Sequence, residues 1–282
     1  MNRPVVVGVD GSPPSLVAAE HAARAAVQRS RPLHLVHGYL HPLGYGVPPN
    51  PYDLGLPAPT EEAQKMLEQA AADLVGRWPG LAVQVRQVAG GPGATLVEES
   101  RRAELVVVGS RGLGGFAGLL LGSVGTQVAS HAHCPVLVVR PAEGPVPAAG
   151  PVLVGVDGSE PAELAVGHAA DEATRRGTGL VLAHVRPPDE VAQAAAEPAG
   201  PLATAAAAVR GSHPGLPVEE RVLRAAKPEQ ALIEASGDAA LVVVGSRGRG
   251  GFAGMLLGSV SQALVQHAHC PVLVARPYGH AR

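Results

Sequence analysis

Short runs of Val and Leu alternate along the chain with longer stretches in which apolar residues recur at helical spacing. Continuous apolar strands separated by helices are the pattern of a parallel sheet covered on both faces. In the first half, strands are expected near residues 4–9, 32–38, 82–88, 104–109 and 135–140. In the second half they are expected near 152–157, 179–185, 217–223, 240–245 and 271–276. The first helix opens at Ser12, whose hydroxyl suits an N-cap, with Pro13 where a missing N–H costs nothing. Leu16, Ala19, Ala23 and Val27 then share one helical face, the one expected to pack. A second helix runs from Glu61 to Arg77, with acids at the positive end of its dipole. Its counterpart in the second half should be trimmed, because Pro198, Gly200 and Pro201 interrupt the Ala-rich run.

The pattern is written twice. LVVVGSRGLGGFAGLLLGSVGTQVASHAHCPVLVVRP, Leu105 to Pro141, returns as LVVVGSRGRGGFAGMLLGSVSQALVQHAHCPVLVARP, Leu241 to Pro277, at a constant shift of 136. VVVGVDGSPPS from Val5 matches VLVGVDGSEPA from Val152, pairing Asp10 with Asp157 at a shift of 147. The first half therefore holds 11 more residues between these marks. HPLGYGVPPNPYDLGLPAP, His41 to Pro59, is rich in Pro and Gly and reads as that surface excursion. A Pro-, Gly- and Ala-rich linker, Pro141 to Pro151, separates two domains expected at 1–143 and 150–282. Each is of a size that closes one core.

Composition narrows the function classes. A net charge of −2 and a pI near 6.6 argue against a nucleic-acid binder, which usually presents a basic face. Aromatic residues make up 2% of the chain, too few to stack single-stranded bases. The chain enters strand-like Val5 to Val9 with no charged-then-apolar leader, and no apolar run reaches bilayer length. A soluble cytoplasmic protein with no membrane partner is the expectation. Cys134 and Cys270 are repeat equivalents, which excludes a disulfide framework and leaves a single bridge open.

The best-kept repeat suits an anion. In open α/β sheets ligands sit beyond the carboxyl ends of the strands, where strand order reverses. Asp10 ends the first strand and Gly109 the fourth, so both line that crevice if these strands are neighbours. Gly112, Gly114 and Gly115 let backbone N–H groups come close to oxygen atoms. Gly122 and Ser123 open a helix running to about His133, presenting unpaired N–H groups and a hydroxyl. No Asp or Glu occurs from Leu105 to Ala142 or from Ala239 to Arg282. Arg111 lies in the first loop, and Arg247 and Arg249 in the second; each of Arg111 and Arg247 reads equally as solvated or as a phosphate contact. The plainer alternative is that these glycines only allow tight helix–sheet packing.

Competing motifs fail on detail. No Lys-Ser or Lys-Thr pair closes a Walker-type loop. GLGGFA follows the fourth strand, and no acid lies about 20 residues on to hold a ribose, so it is not a dinucleotide fingerprint. His131, His133 and Cys134 are better read as a helix end and a buried strand start than as metal ligands. His37 and His184 look like a repeated catalytic base, but no G-x-S-x-G nucleophile elbow exists to use one. No catalytic residue and no protein-built metal site is therefore assigned.

The spacing G-x2-G-x9-G-S, with GVDGS at the first strand end and HAHCPVLVVR entering the last strand, resembles the universal stress protein family. The likeness is to its tandem-domain, ATP-binding form, common in high-GC actinobacteria, and it covers nearly the whole chain. It implies two tandem doubly wound five-stranded parallel sheets of the adenine nucleotide alpha hydrolase-like fold, in order 3-2-1-4-5. By position it implies that Asp10 and Asp157, beside Gly8 and Gly155, sit near the adenosine. The backbone at Gly38 and Val185 would meet the adenine edge. Ribose and phosphates would fall to Gly109, Gly112, Gly122 and Ser123, within a loop that also holds Ser110, Arg111, Gly114, Gly115 and Val124. The second set is Gly245, Gly248, Gly258 and Ser259, with Ser246, Arg247, Arg249, Gly250, Gly251 and Val260.

The resemblance further implies up to two ATP per chain, with Mg²⁺ held mainly by phosphate oxygens. The expected role is a nucleotide-dependent regulator in the stress response with little or no hydrolysis, since no positioned base or arginine finger can be named. A slow ATPase or phosphotransferase and a nucleotide-independent partner-binding protein are the alternatives. Pro135 to Arg140 and Pro271 to Arg276 would otherwise be exposed edges, and in the family such strands pair. An internal pseudo-dimer that can dimerise further is expected. The halves differ at Leu113 against Arg249, one cation fewer in the first, and at Gly125 against Ser261.

Overall fold

A computed structural model describes residues 3–39, 60–112, 122–140, 150–188, 200–248 and 257–279. It divides into two compact units, Met1–Cys134 with Gly279–Arg282, and Pro135–Tyr278. The proposed excursion at His41 to Pro59 and most of the linker lie outside the described residues.

In the first unit the chain runs β1 (Val5–Gly8), α1 (Pro13–Arg29), β2 (Leu33–Tyr39), α2 (Thr60–Arg77) and β3 (Val83–Ala89). It continues through α3 (Pro92–Glu99), β4 (Leu105–Gly109) and α4 (Ser123–His131). The strands are parallel in the order β3-β2-β1-β4, with Val5 opposite both Leu33 and Leu105. Strands one and four are thus neighbours. The all-apolar strands β1 and β4 take the central places, where both faces are covered. The outer strand β3 alternates half-buried Val83 and Val85 with exposed Gln84 and Arg86, which suits an edge.

Helix α1 begins as expected: Ser12 is its N-cap, accepting from Ser15 N at 3.3 Å, and Pro13 follows. Its packing face corrects the sequence reading. Leu16 and Val27 are each 44% exposed, and the buried stripe is Ala18, Ala19, Ala22, Ala23, Ala25 and Ala26. The valines of β1 and β4 already fill the space above the sheet, so the helix settles close and only methyl groups fit between them. Gly109 makes the approach possible, since a Cβ there would stand 3.0 Å from the Pro14 carbonyl oxygen.

The second unit begins with β5 (Val136–Val139) and β6 (Val152–Gly155), followed by α5 (Glu160–Arg176) and β7 (Leu180–Arg186). Then come α6 (Pro201–Ser212), β8 (Val218–Arg224), α7 (Pro228–Ala235), β9 (Leu241–Gly245), α8 (Ser259–His267) and β10 (Val272–Ala275). Strand order is β5-β10-β9-β6-β7-β8. Within it, β8-β7-β6-β9-β10 is the expected 3-2-1-4-5 parallel arrangement. The expected pairing of the two last strands is also present: β5 runs antiparallel to β10, with Val138 opposite Val272. Helix α6 has 12 residues against 18 in α2 and starts at Pro201, the trimming the prolines predicted.

Both cysteines are buried, and neither takes part in a disulfide. Among the described residues, no helix is long and apolar enough to cross a membrane.

Candidate functional site

The carboxyl ends of β1, β2 and β4 open into a crevice of about 500 Å³, and those of β6, β7 and β9 into one of about 530 Å³. Asp10 stands at the end of β1. Its Oδ1 accepts from Ser12 N at 3.0 Å and Ser12 Oγ at 2.6 Å, so the residue that caps α1 also fixes the carboxylate. Asp157 repeats this with Ser159, at 2.9 and 2.6 Å. The other carboxylate oxygen faces the loop after the fourth strand. A Cβ on Gly112 would collide with Asp10 Oδ2, and one on Gly248 would stand 2.6 Å from Asp157 Oδ2. Glycine at this point is what lets loop and carboxylate share the crevice.

The loop returns at Gly122, whose N–H donates to Ser110 O at 2.7 Å; Gly258 donates to Ser246 O at 2.8 Å. Both glycines are extended N-cap residues, and neither helix has a side-chain cap. The helical ladder starts only at Thr126 N donating to Gly122 O (3.1 Å), and at Gln262 N donating to Gly258 O (2.9 Å). The N–H groups of Ser123, Val124 and Gly125, and of Ser259, Val260 and Ser261, precede that ladder, and these residues line the crevices. With no acid in the first turn, the positive end of each helix dipole is unopposed there. Arg111 and Arg247 add one exposed guanidinium to each rim.

Most of the residues expected from sequence come together in this way. Gly8, Asp10, Gly38 and Gly109 line the first crevice with Arg111, Gly112 and the start of α4. Gly155, Asp157, Val185 and Gly245 line the second with Arg247, Gly248 and the start of α8. Ser110 and Ser246 stand behind the rim, supplying the carbonyls that anchor Gly122 and Gly258. Gly114, Gly115, Arg249, Gly250 and Gly251 lie outside the described residues.

Sequence reasoning missed two contributors. Helices α3 and α7 were not anticipated, yet Pro92 and Leu96, and Pro228 and Leu232, form a crevice wall. The imidazoles of His37 and His184, set aside as catalytic bases, also line the crevices. His37 Nδ1 donates to Val9 O at 2.7 Å and His184 Nδ1 to Val156 O at 2.5 Å, fixing both rings and their neutral tautomer. The recurrence of a strand-end His at the same place in both repeats was the available signal. His131 donates from Nδ1 to Gln127 O at 3.0 Å, at the helix C-terminus as expected. Among the described residues no three of His, Cys, Asp and Glu gather to hold a metal.

This arrangement is an open α/β crevice set at a strand-order reversal, and comparison with known proteins gives its family. The family model described as Universal stress protein family matches residues 1–140 and again 149–276, and the chain belongs to that family. A universal stress protein of Mycolicibacterium smegmatis is 41% identical to it, over 97% of each chain. The crystal structure of a universal stress protein from Archaeoglobus fulgidus DSM 4304 shares the fold, with a TM-score of 0.70 and 21% identity, covering 99% of this chain and 97% of that one. A universal stress protein from Archaeoglobus fulgidus in complex with dAMP is 26% identical, with a TM-score of 0.35, over 45% of this chain and 98% of that one.

Proposed function

We propose that each half of the chain, residues 1–143 and 150–282, binds one ATP, and that occupancy sets partner choice in a cytoplasmic stress response with little or no hydrolysis. The observation that carries this reading is a contrast between helix starts. Helices α1 and α5 are capped by Ser12 and Ser159, whereas α4 and α8 begin at glycine, uncapped, inside a crevice. Ser, Thr, Asp, Asn and Gly are all favoured at that position, but glycine brings no side chain to accept the first N–H groups. A helix start left open toward a cavity, twice, suits an anionic ligand that supplies the cap itself.

The rest of the crevice fits a nucleoside triphosphate. Its volume lies within the usual range for small-ligand sites. Phosphate oxygens would take the N–H groups at Ser123 to Gly125 and at Ser259 to Ser261, each charge-assisted bond contributing about 1.5–3 kcal/mol. Asp10 and Asp157, at the intervening strand ends, suit ribose hydroxyls. Mg²⁺ would neutralise phosphate charge and be held by phosphate oxygens.

Mass spectrometry of nucleotide released from the denatured purified protein, followed by calorimetric titration with ATP, tests this reading. ATP at up to two per chain is expected. A chain that carries no nucleotide and binds none contradicts it, and steady turnover well above that of a loop variant moves the protein to the ATP-using enzymes.

A further inference from the structure

Strand β5 belongs to the first repeat but lies in the second compact unit, antiparallel to β10. Val138 faces Val272, which brings Arg140 level with Cys270, shortly past the end of α8 at His267. There the Arg140 side chain meets the helix. Its Nη1 donates to Gln266 O, and to Val265 O at 3.3 Å, across 126 and 125 positions of sequence.

The end of α8 is open to such a donor. Ala268 N bonds to Leu264 O at 2.9 Å, so Val265 O and Gln266 O lie beyond the helical ladder. A guanidinium suits them twice over, as a donor and as a positive charge at the negative pole of the dipole. The helix also needs a hold. It has nine residues, short of the length at which a helix stands alone in water. Buried Leu264 and Val265 seat its middle. Its other end is uncapped Gly258, where Ser259, Val260 and Ser261 line the second crevice. That crevice is lined from Gly155 to Ser261, all within the second repeat, yet the far end of its helix is held from the first.

We propose that Arg140 is a positioning residue for the second crevice. By holding the carbonyl end of α8 it keeps the N–H groups of Ser259, Val260 and Ser261 aimed at the ligand, so the first repeat tunes how tightly the second half binds. The inference rests on the nucleotide-binding reading above. A nine-residue helix moves as one piece, so what steadies its last turn also steadies its first. The positive charge acts in the same direction, since it favours the helical form that presents those N–H groups. Removing it should weaken the second site about three- to fivefold and leave the first site as it was.

The experiment is calorimetric titration of the full chain with ATP, one site at a time. Gly122→Leu leaves the second site to be measured, and Gly258→Leu leaves the first. Adding Arg140→Ala should weaken ATP binding about three- to fivefold in the Gly122→Leu chain and leave it unchanged in the Gly258→Leu chain. Arg140→Lys, which keeps the charge and a donor, should recover most of the loss. Unchanged affinity at the second site, an equal loss at both sites, or a lysine no better than alanine overturns the inference and leaves the nucleotide reading standing. Failure of wild type to bind ATP overturns both. Amide hydrogen exchange on wild type decides the matter even if the Arg140 variants do not fold. ATP should slow exchange along all of α8 to Ala268, and slowing confined to the first turn would show that the two ends are not linked.

Discussion

The two crevices share a frame and differ in what braces it. In the second, Ser261 Oγ is buried and donates to Gly245 O at 2.6 Å, tying the first turn of α8 to the end of β9. The first crevice has Gly125 there and no such tie. In the first crevice the brace is on the carboxylate side: Ser15 Oγ donates to Ser12 O at 2.9 Å and accepts from Asp10 N at 3.3 Å. Its counterpart in the second is Ala162. The end of the second strand differs too, Gly38 on β2 standing where β7 carries Val185; a Cβ on Gly38 would stand 2.7 Å from Pro92 Cα at the start of α3. The crevice linings correspond in both copies, while the scaffolding behind them has been exchanged. The copies should therefore bind the same kind of ligand with unequal affinity, the second with the better-held helix start and with Arg249 in place of Leu113 in the sequence of its loop.

The largest effect is expected from removing both helix starts. Gly122→Leu with Gly258→Leu places side chains where phosphate oxygens must meet N–H groups, a loss of about 2–3 kcal/mol or more at each site. ATP binding should disappear from equilibrium dialysis while the melting transition persists. Next comes Gly38→Val, which makes the first crevice imitate the second but drives Cβ into the backbone of α3. A destabilisation of about 1–3 kcal/mol is expected in urea denaturation. A neutral result would mean that α3 is free to shift.

A smaller change sharpens the comparison. Ser261→Ala removes the brace from the second crevice alone, and a loss of about 1 kcal/mol, near fivefold in affinity, is expected there. Calorimetry that resolves the two sites should show them drawing closer in strength; a change confined to the first site would contradict the assignment. The smallest effect concerns Cys270, whose thiol is pushed up to about 12 by burial from its ordinary 9.0. The buried thiol stabilises the fold fully below the ordinary value, and this contribution is lost as pH rises from about 9 toward about 12. Stability should therefore decline across that window, and alkylation of the native protein at about pH 8 should be slow compared with the urea-unfolded chain.

The strand positions were legible because runs such as LVVVG leave no other burial pattern, and the loop that lines each crevice because its glycine spacing occurs twice. What was hidden depends on contacts between residues far apart in sequence. The eight-residue helices α3 and α7 bury too few large side chains to print a period, with Leu96 and Leu232 as their main anchors. The outward turn of Leu16 and Val27 follows from how closely α1 lies on two valine strands, which local periodicity does not encode. Gly109 lines the crevice, and the room left by its missing side chain is taken by the Pro14 carbonyl, a contact its spacing does not show. The ring hydrogen bonds of His37 and His184 each span 28 positions and become visible only once β1 and β2, and β6 and β7, are side by side.

The central claim is that each half holds a complete site of its own. Calorimetric titration of the single variants Gly122→Leu and Gly258→Leu with ATP tests it most directly. The account predicts about one ATP per chain in each, with the tighter remaining site in the Gly122→Leu variant, because Ser261 and Arg249 accompany it. Unchanged stoichiometry in both single variants would mean that the glycine loop serves packing alone, and the nucleotide reading would fall with it.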